Sequence, residues 1–151
     1  MNDSNNALCP CGSTRHYQQC CAPLHKYEQR AQSAEQLMRS RFSAFVLGDA
    51  LYLLETLHPS KRQANELQLL ENNIKSTQWL SLKVIHSSDN EVEFVAFYKA
   101  SPFAQLHECS RFCQENKQWY YLDGQQLPPI KLERNENCPC GSRKKYKKCC
   151  L

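Results

Sequence analysis

A chain of 151 residues, 41% of them apolar, has material for one moderate core and not two. Its net charge of +4 is mild but uneven, since seven Lys or Arg stand against two Glu from Lys131 to Leu151. No run approaches the roughly 20 consecutive apolar residues that span a bilayer, and Met1 to Asn6 is polar, without the basic and apolar regions of a secretion signal.

The ten cysteines therefore belong to a protein expected in the cytoplasm, where a reducing medium favours metal binding over disulfides. The first four are Cys9, Cys11, Cys20 and Cys21, in the spacing C-x-C-x8-C-C. Adjacent cysteines and C-x-C pairs are poor disulfide geometries. Four thiolates around zinc would give so small a segment the fold that its few apolar side chains cannot, because the binding free energy, about 10 to 16 kcal/mol, is also folding free energy.

After this head the chain reads as helical. Ser33-Ala34-Glu35-Gln36 forms a capping box, and Leu37, Met38, Phe42, Phe45 and Val46 make one wide apolar face that ends at Gly48, with Arg39 and Arg41 off it. Asp49 can cap a second short helix over Ala50–Leu57, whose Leu51, Leu54 and Leu57 lie at spacings of three and whose end is forced by Pro59. A further box, Ser60-Lys61-Arg62-Gln63, predicts a third helix to about Lys75 that buries Leu67, Leu70 and Ile74.

The period then changes to two. Strands are expected over Trp79–His86, Glu91–Ala100, Phe103–Gln114 and Gln118–Leu122, with Asp123-Gly124 and Pro128-Pro129 closing the domain. Helices first and a meander of antiparallel strands afterwards is an α+β order, with one face of a curved sheet packed on the helices.

The tail repeats the head. Cys138-Pro139-Cys140-Gly141-Ser142, Tyr146 and Cys149-Cys150 reproduce the same spacing, and eight of thirteen positions are identical: the four cysteines, Pro, Gly, Ser and Tyr. Pro10 and Pro139 fix a turn between two thiolates, and Gly12 and Gly141 let backbone N–H groups approach sulfur. A zinc site with four thiolates carries two negative charges, which Arg143, Lys144, Lys145, Lys147 and Lys148 can offset at the tail.

Both cysteine stretches resemble the SEC-C motif, the zinc module that also ends the translocation ATPase SecA. SecA-like copies often finish in Cys-His, whereas Cys20-Cys21 and Cys149-Cys150 offer sulfur only. A motif at each end of a domain of this size resembles the YchJ-type family, and Arg39-Ser40-Arg41-Phe42 through Leu47-Gly48-Asp49, with Trp119-Tyr120-Tyr121, resembles the NTF2-like fold, a cone of helices closed by a bent antiparallel sheet. The resemblance implies modules at 1–24 and 131–151 around an NTF2-like domain at 25–130, with two Zn²⁺ per chain. In SecA-like proteins the motif docks on an acidic chaperone surface, which implies a protein partner here.

Within the middle domain, His107, Cys109, Arg111 and Cys113 alternate along one strand and so share a face. With Glu93 or Asp123 supplying a carboxylate, His107 could do acid–base work in a cone pocket or help hold a small ligand. Cys109 and Cys113 are roughly 13 Å apart on a strand, too far for one metal or one disulfide. The basic tail around Tyr146 reads as a docking patch for an acidic protein or for nucleic acid, or as plain solvation of the module. The sequence thus points first to a non-enzymatic zinc adaptor, with a pocket enzyme and a nucleic-acid binder as the alternatives.

Overall fold

The computed structural model describes residues 7–151, so the expectation drawn from the polar start, Met1 to Asn6, lies outside the described residues. A short 3-10 turn at Tyr17–Gln19 and α1, Ala22–His25, close the head module. Helix α2, Ala34–Leu47, begins where Ser33 Oγ accepts the Gln36 N–H at 3.0 Å, and Gln36 Oε1 accepts the Gln32 N–H at 2.6 Å in return. Gly48, at φ 81°, takes the left-handed turn that ends it.

Helix α2 buries Leu37, Met38 and Phe42 as its spacing requires, but it also buries Arg41. This corrects the expectation that Arg41 falls off the inner face. Its Nη1 donates to Leu53 O at 2.8 Å and to Thr56 Oγ1 at 2.6 Å, and its guanidinium carbon lies 4.8 Å from the Tyr121 ring centroid. A planar cation with these partners can leave water where an unbonded one cannot.

Helix α3, Ala50–Thr56, is capped by Asp49, whose carboxylate accepts the Tyr52 N–H at 3.1 Å. It turns Ala50, Tyr52, Leu53 and Thr56 inward and leaves Leu51 exposed, while of the row at spacings of three Leu57, just past its end, is buried. The Tyr52 hydroxyl, 2.6 Å from Ser40 Oγ on α2, sets that rotation.

The third helix does not start at Ser60. Pro59–Lys61 forms one 3-10 turn, and α4 runs over Glu66–Ser76. Arg62 explains the gap, because Nε donates to Leu57 O at 2.9 Å and Nη2 to Glu55 O at 3.1 Å, tying the segment back onto the end of α3. Of the expected row, Leu70 and Ile74 pack on the core, whereas Leu67 stays exposed.

Four antiparallel strands follow in sheet order: β1, Trp79–Ser87, β2, Glu91–Lys99, β3, Phe103–Glu115, and β4, Gln118–Leu127. The α+β architecture is as the sequence reads. Strand β4 outruns its expected end at Leu122, since Asp123 and Gly124 pair with Arg111 and Ser110 instead of turning. A bulge at Leu122 absorbs one residue between the Arg111–Asp123 and Phe112–Tyr121 pairs. Gly124 leaves room there for the Glu108 carboxyl, which a Cβ at this position would push aside.

Both faces of β2 are buried. Val92, Phe94 and Ala96 belong to the core beneath α2 and α3, while Val95 and Phe97 point the other way. That second face is covered by the chain after β4. Pro128 O and Ile130 O meet the side chains of His107 and Gln105, and Tyr146 packs edge-on against Phe103, which packs in turn on Phe97.

Candidate metal centres and the cone

Two tetracysteine clusters are assembled. In the head, Cys9, Cys11, Cys20 and Cys21 place all four Sγ within 4.8 Å of one another, and Cys138, Cys140, Cys149 and Cys150 do the same in the tail. The measured separations are 3.6 Å for Cys11–Cys20 and 4.0 Å for Cys20–Cys21, against 3.5 Å for Cys140–Cys149 and 3.8 Å for Cys149–Cys150. A metal with four bonds to sulfur of about 2.3 Å requires S···S edges of about 3.8 Å. Disulfides at about 2.05 Å are excluded, and all ten cysteines are free. The donor set fits a tetrahedral thiophilic ion.

The two centres are alike down to the backbone. Ser13 Oγ lies 3.1 Å from Cys20 Sγ and accepts the Arg15 N–H at 3.2 Å, while Ser142 Oγ lies 3.2 Å from Cys149 Sγ and accepts the Lys144 N–H at 3.2 Å. Thr14 and Arg143 share a left-handed φ of 68°. The repeated serine therefore orients both a sulfur and the turn that carries it.

Sulfur contacts polarise the thiols. Cys11 is held well below the usual thiol range, chiefly by hydrogen bonds from Cys21 and Cys9, and Cys21 is correspondingly raised. In the tail, Cys140 is lowered to about 6, led by the Ser142 hydroxyl and N–H, while Cys150 is raised to about 12, chiefly by its bond with Cys138. Each cluster already favours one thiolate, the form that ligates metal.

Docking separates the pair. Cys9, Cys11 and Cys21 are buried, and Arg39 Nη1 donates to Cys11 O at 2.7 Å while its Nε bonds Glu35. The Tyr17 hydroxyl lies 2.7 Å from His25 Nδ1, and His25 Nε2 lies 2.8 Å from Ser40 O, so the head module is bonded into the core of α2. His25 and Arg39 were not identified as anchors from sequence. In the tail only Cys138 is buried and Cys149 is exposed. It is held by Ser81 Oγ donating to Pro139 O at 2.7 Å, by the 2.6 Å Lys83–Glu136 ion pair and by Tyr146.

Gly12 and Gly141, both at positive φ, lie against backbone carbonyls of β1. A Cβ on Gly12 would sit 3.1 Å from Leu82 O, and one on Gly141 would sit 3.9 Å from Leu80 O. The two modules thus sit side by side along β1. Arg143, Lys144, Lys145, Lys147 and Lys148 are all exposed, and among the described residues none of them makes an ion pair.

The residues expected to form a pocket come together differently. Glu93 Oε2 does reach His107 Nε2 at 2.8 Å, and Arg111 forms two 2.6 Å bonds with Asp123. Both pairs, with Cys109, lie on the sheet face turned away from the helices, and none of the five lines the cone. Strand parity is the reason: the residues of β3 that face the cone are Leu106, Glu108, Ser110 and Phe112. Burial alone would lower His107, but its bonds to Pro128 O and Glu93 outweigh that and raise it above the ordinary imidazole value.

The cone itself holds a cavity of about 180 Å³ between α2 and the sheet. Its wall is mostly aromatic and aliphatic, with Arg41, Glu108 and Ser110 as polar members and exposed Asn73 of α4 at its margin. Ser110 Oγ donates to Glu108 Oε2 at 2.5 Å and the Tyr121 hydroxyl donates at 3.4 Å. Arg41, Glu108 and Ser110 were missed in the sequence reading; the alternation that singled out His107 also marks its complement, Glu108 and Ser110.

Residues 33–124 match the family model of the YchJ middle NTF2-like domain, and residues 6–23 and 134–151 match the SEC-C motif. The chain is 44% identical over 149 residues to a UPF0225 protein of Vibrio cholerae, covering 94% of this chain and 98% of that one. It is 46% identical over 158 residues to a UPF0225 protein of Photorhabdus laumondii, covering 95% and 98%. Among solved structures, a SEC-C motif protein from Rhodopseudomonas palustris aligns with TM-score 0.73 at 31% identity, over 81% of this chain and all of that one. A SEC-C motif protein from Psychrobacter arcticus aligns with TM-score 0.66 at 33% identity, over 97% and 96%.

Proposed function

Because the chain belongs to the UPF0225 family of YchJ-type proteins, an NTF2-like domain with a SEC-C motif at each end, we propose that it is a cytoplasmic zinc-binding adaptor. One observation carries the reading: two tetrathiol centres of the same build differ in docking, the first mostly buried and bonded to α2, the second less buried and beside five exposed cations that make no ion pair among the described residues. Zinc is the ion of choice because an all-thiolate tetrahedron with no open position is a structural zinc site. Ten free thiols fit a reducing compartment. The head module anchors, and the tail module presents Arg143, Lys144, Lys145, Lys147 and Lys148 around Tyr146 to an acidic protein surface.

Metal analysis is expected to return two zinc ions per chain, and one after Cys11→Ser or Cys149→Ser; retention of both ions by Cys149→Ser sinks the tail assignment. A pulldown from lysate is then compared for the intact chain and a variant with Lys144, Lys145, Lys147 and Lys148 changed to Gln. Binding should weaken as salt rises, with screening over about 8 Å at physiological ionic strength, and should be lost in the variant. Equal retention means the lysines only offset thiolate charge, and release by nuclease replaces the protein partner with nucleic acid.

A further inference from the structure

Besides the two tetrathiol centres, the described residues bring one further set of metal-binding side chains together. His58, Cys113 and Glu115 each offer a ligand atom, and the three atoms lie within 4.8 Å of one another. Cys113 and Glu115 stand two residues apart near the end of β3 and so project from the same face, opposite Tyr120 and Gln118 of β4. His58 arrives from the end of α3, where Leu57 bridges to Tyr121 and the His58 N–H donates to Tyr121 O at 2.8 Å. Its ring is held from three directions. It packs edge-on to Tyr120 with centroids 5.5 Å apart, Nδ1 lies 2.7 Å from Ser60 Oγ, and Nε2 lies 2.8 Å from Glu115 Oε1. Nδ1 also accepts the Ser60 N–H at 3.2 Å, which leaves the ring proton on Nε2, toward Glu115. Cys113, too far from Cys109 to share a metal with it, thus finds its co-ligands on β3 itself and on the segment after α3.

We propose that His58 Nε2, Cys113 Sγ and a Glu115 carboxylate oxygen hold a divalent ion of borderline softness, zinc above all, at a third metal site with an open fourth position. The ion takes the place of the proton between Nε2 and Glu115, Nδ1–H then donates to Ser60 Oγ, and the Cys113 thiol releases its proton to solvent. Bonds of about 2.0 Å to nitrogen and oxygen in a tetrahedron set an N···O edge of about 3.3 Å, so Glu115 has to draw back by about half an ångström. Its side chain is 57% exposed and has the room to do so. A set of one sulfur, one nitrogen and one oxygen disfavours magnesium and calcium, which take oxygen ligands. Three protein ligands leave the last position to water, as in zinc sites that exchange their fourth ligand. With one thiolate in place of four, the ion is held less firmly than in the cysteine centres: protein passed over a chelating resin keeps two zinc ions, and the third returns when metal is supplied. The inference goes beyond the adaptor reading and stands whether or not the tail module docks on a partner.

The test adds Co²⁺ to the full-length chain in its two-zinc form and follows the absorption spectrum together with the zinc content. One equivalent of cobalt is expected to bind while both zinc ions remain, giving the visible bands of a four-coordinate ion and a near-ultraviolet thiolate-to-cobalt band. Cys113→Ser should remove the thiolate band. His58→Gln and Glu115→Gln should each weaken cobalt binding by more than about tenfold, since losing even a residue that merely orients a ligand costs about that much. Glu115→Gln is the variant that keeps folding out of the question, because the position is exposed and the amide oxygen can still accept from His58. The proposal is overturned if no cobalt binds while two zinc ions remain, if the thiolate band survives Cys113→Ser, which would put the cobalt in a tetrathiol centre, or if Glu115→Gln binds cobalt as the parent does, which would leave only an ordinary His58–Glu115 ion pair.

Discussion

His107 sits between Glu93 and Pro128 O, and its raised pKa is a statement about stability. A folded-state pKa above the unfolded one means that the imidazolium stabilises the fold fully below about 6.5 and that this contribution is lost as pH rises through the folded value. The expected result is an NMR titration midpoint for His107 above 6.5 that falls in Glu93→Gln. A midpoint that does not move with Glu93 means the carboxylate is too solvated to act. The same histidine illustrates what sequence supplies about a site. Its alternation with Cys109 and Arg111 was legible, but which of the two alternating sets faces the helices was not, because both faces of β2 are covered and both faces of β3 carry polar residues.

At the scale of elements, caps are the most legible feature. Ser33 and Asp49 bond the N–H groups that their positions predict, and Ser33→Ala should cost about 1 kcal/mol in chemical denaturation, with the midpoint lowered and the slope unchanged. A loss well under half of that would mean that the tertiary contacts of α2 hold its first turn without the cap. The Ser60 box failed because a cap motif only competes for the chain, and Arg62 bonded to the end of α3 wins that competition. Strand β4 was read five residues short because Asp-Gly usually turns, whereas here the glycine makes space for Glu108. Arg41 was placed outside because its partners, Leu53 O, Thr56 and the Tyr121 ring, come from α3 and β4 and leave no local trace. The grouping of the cysteines into two clusters was legible, since the same order occurs twice within one chain.

For the whole molecule, all the helices and strands of the cone precede Pro128, so a chain ending at Pro129 is expected to unfold cooperatively. Its melting midpoint should be lower than that of the full chain, because Phe97 and Phe103 lose Tyr146 and Ser81 loses Pro139 O. A broad transition without cooperativity would make the tail module part of the core rather than a docked appendage.

The placement of the two modules along β1 also bears on solubility. The far border of the sheet is capped at Tyr121, where Leu57 bridges to it and the His58 N–H donates to Tyr121 O at 2.8 Å. The β1 border is shielded by the two modules, through glycine turns against Leu80 O and Leu82 O, the Ser81–Pro139 hydrogen bond and the Lys83–Glu136 ion pair. An unpaired outer strand is a template on which another chain can add its own. Stripping the metal should therefore do more than unravel two small modules: it uncovers that template, and light scattering should rise after chelation in proportion to protein concentration, with Gly12→Val, which crowds Leu82 O, tending the same way while metal is still present. Chelated protein that stays monodisperse would show that the strand is protected by its own side chains. On this view the metal supply of the cell sets how much of the protein remains dispersed.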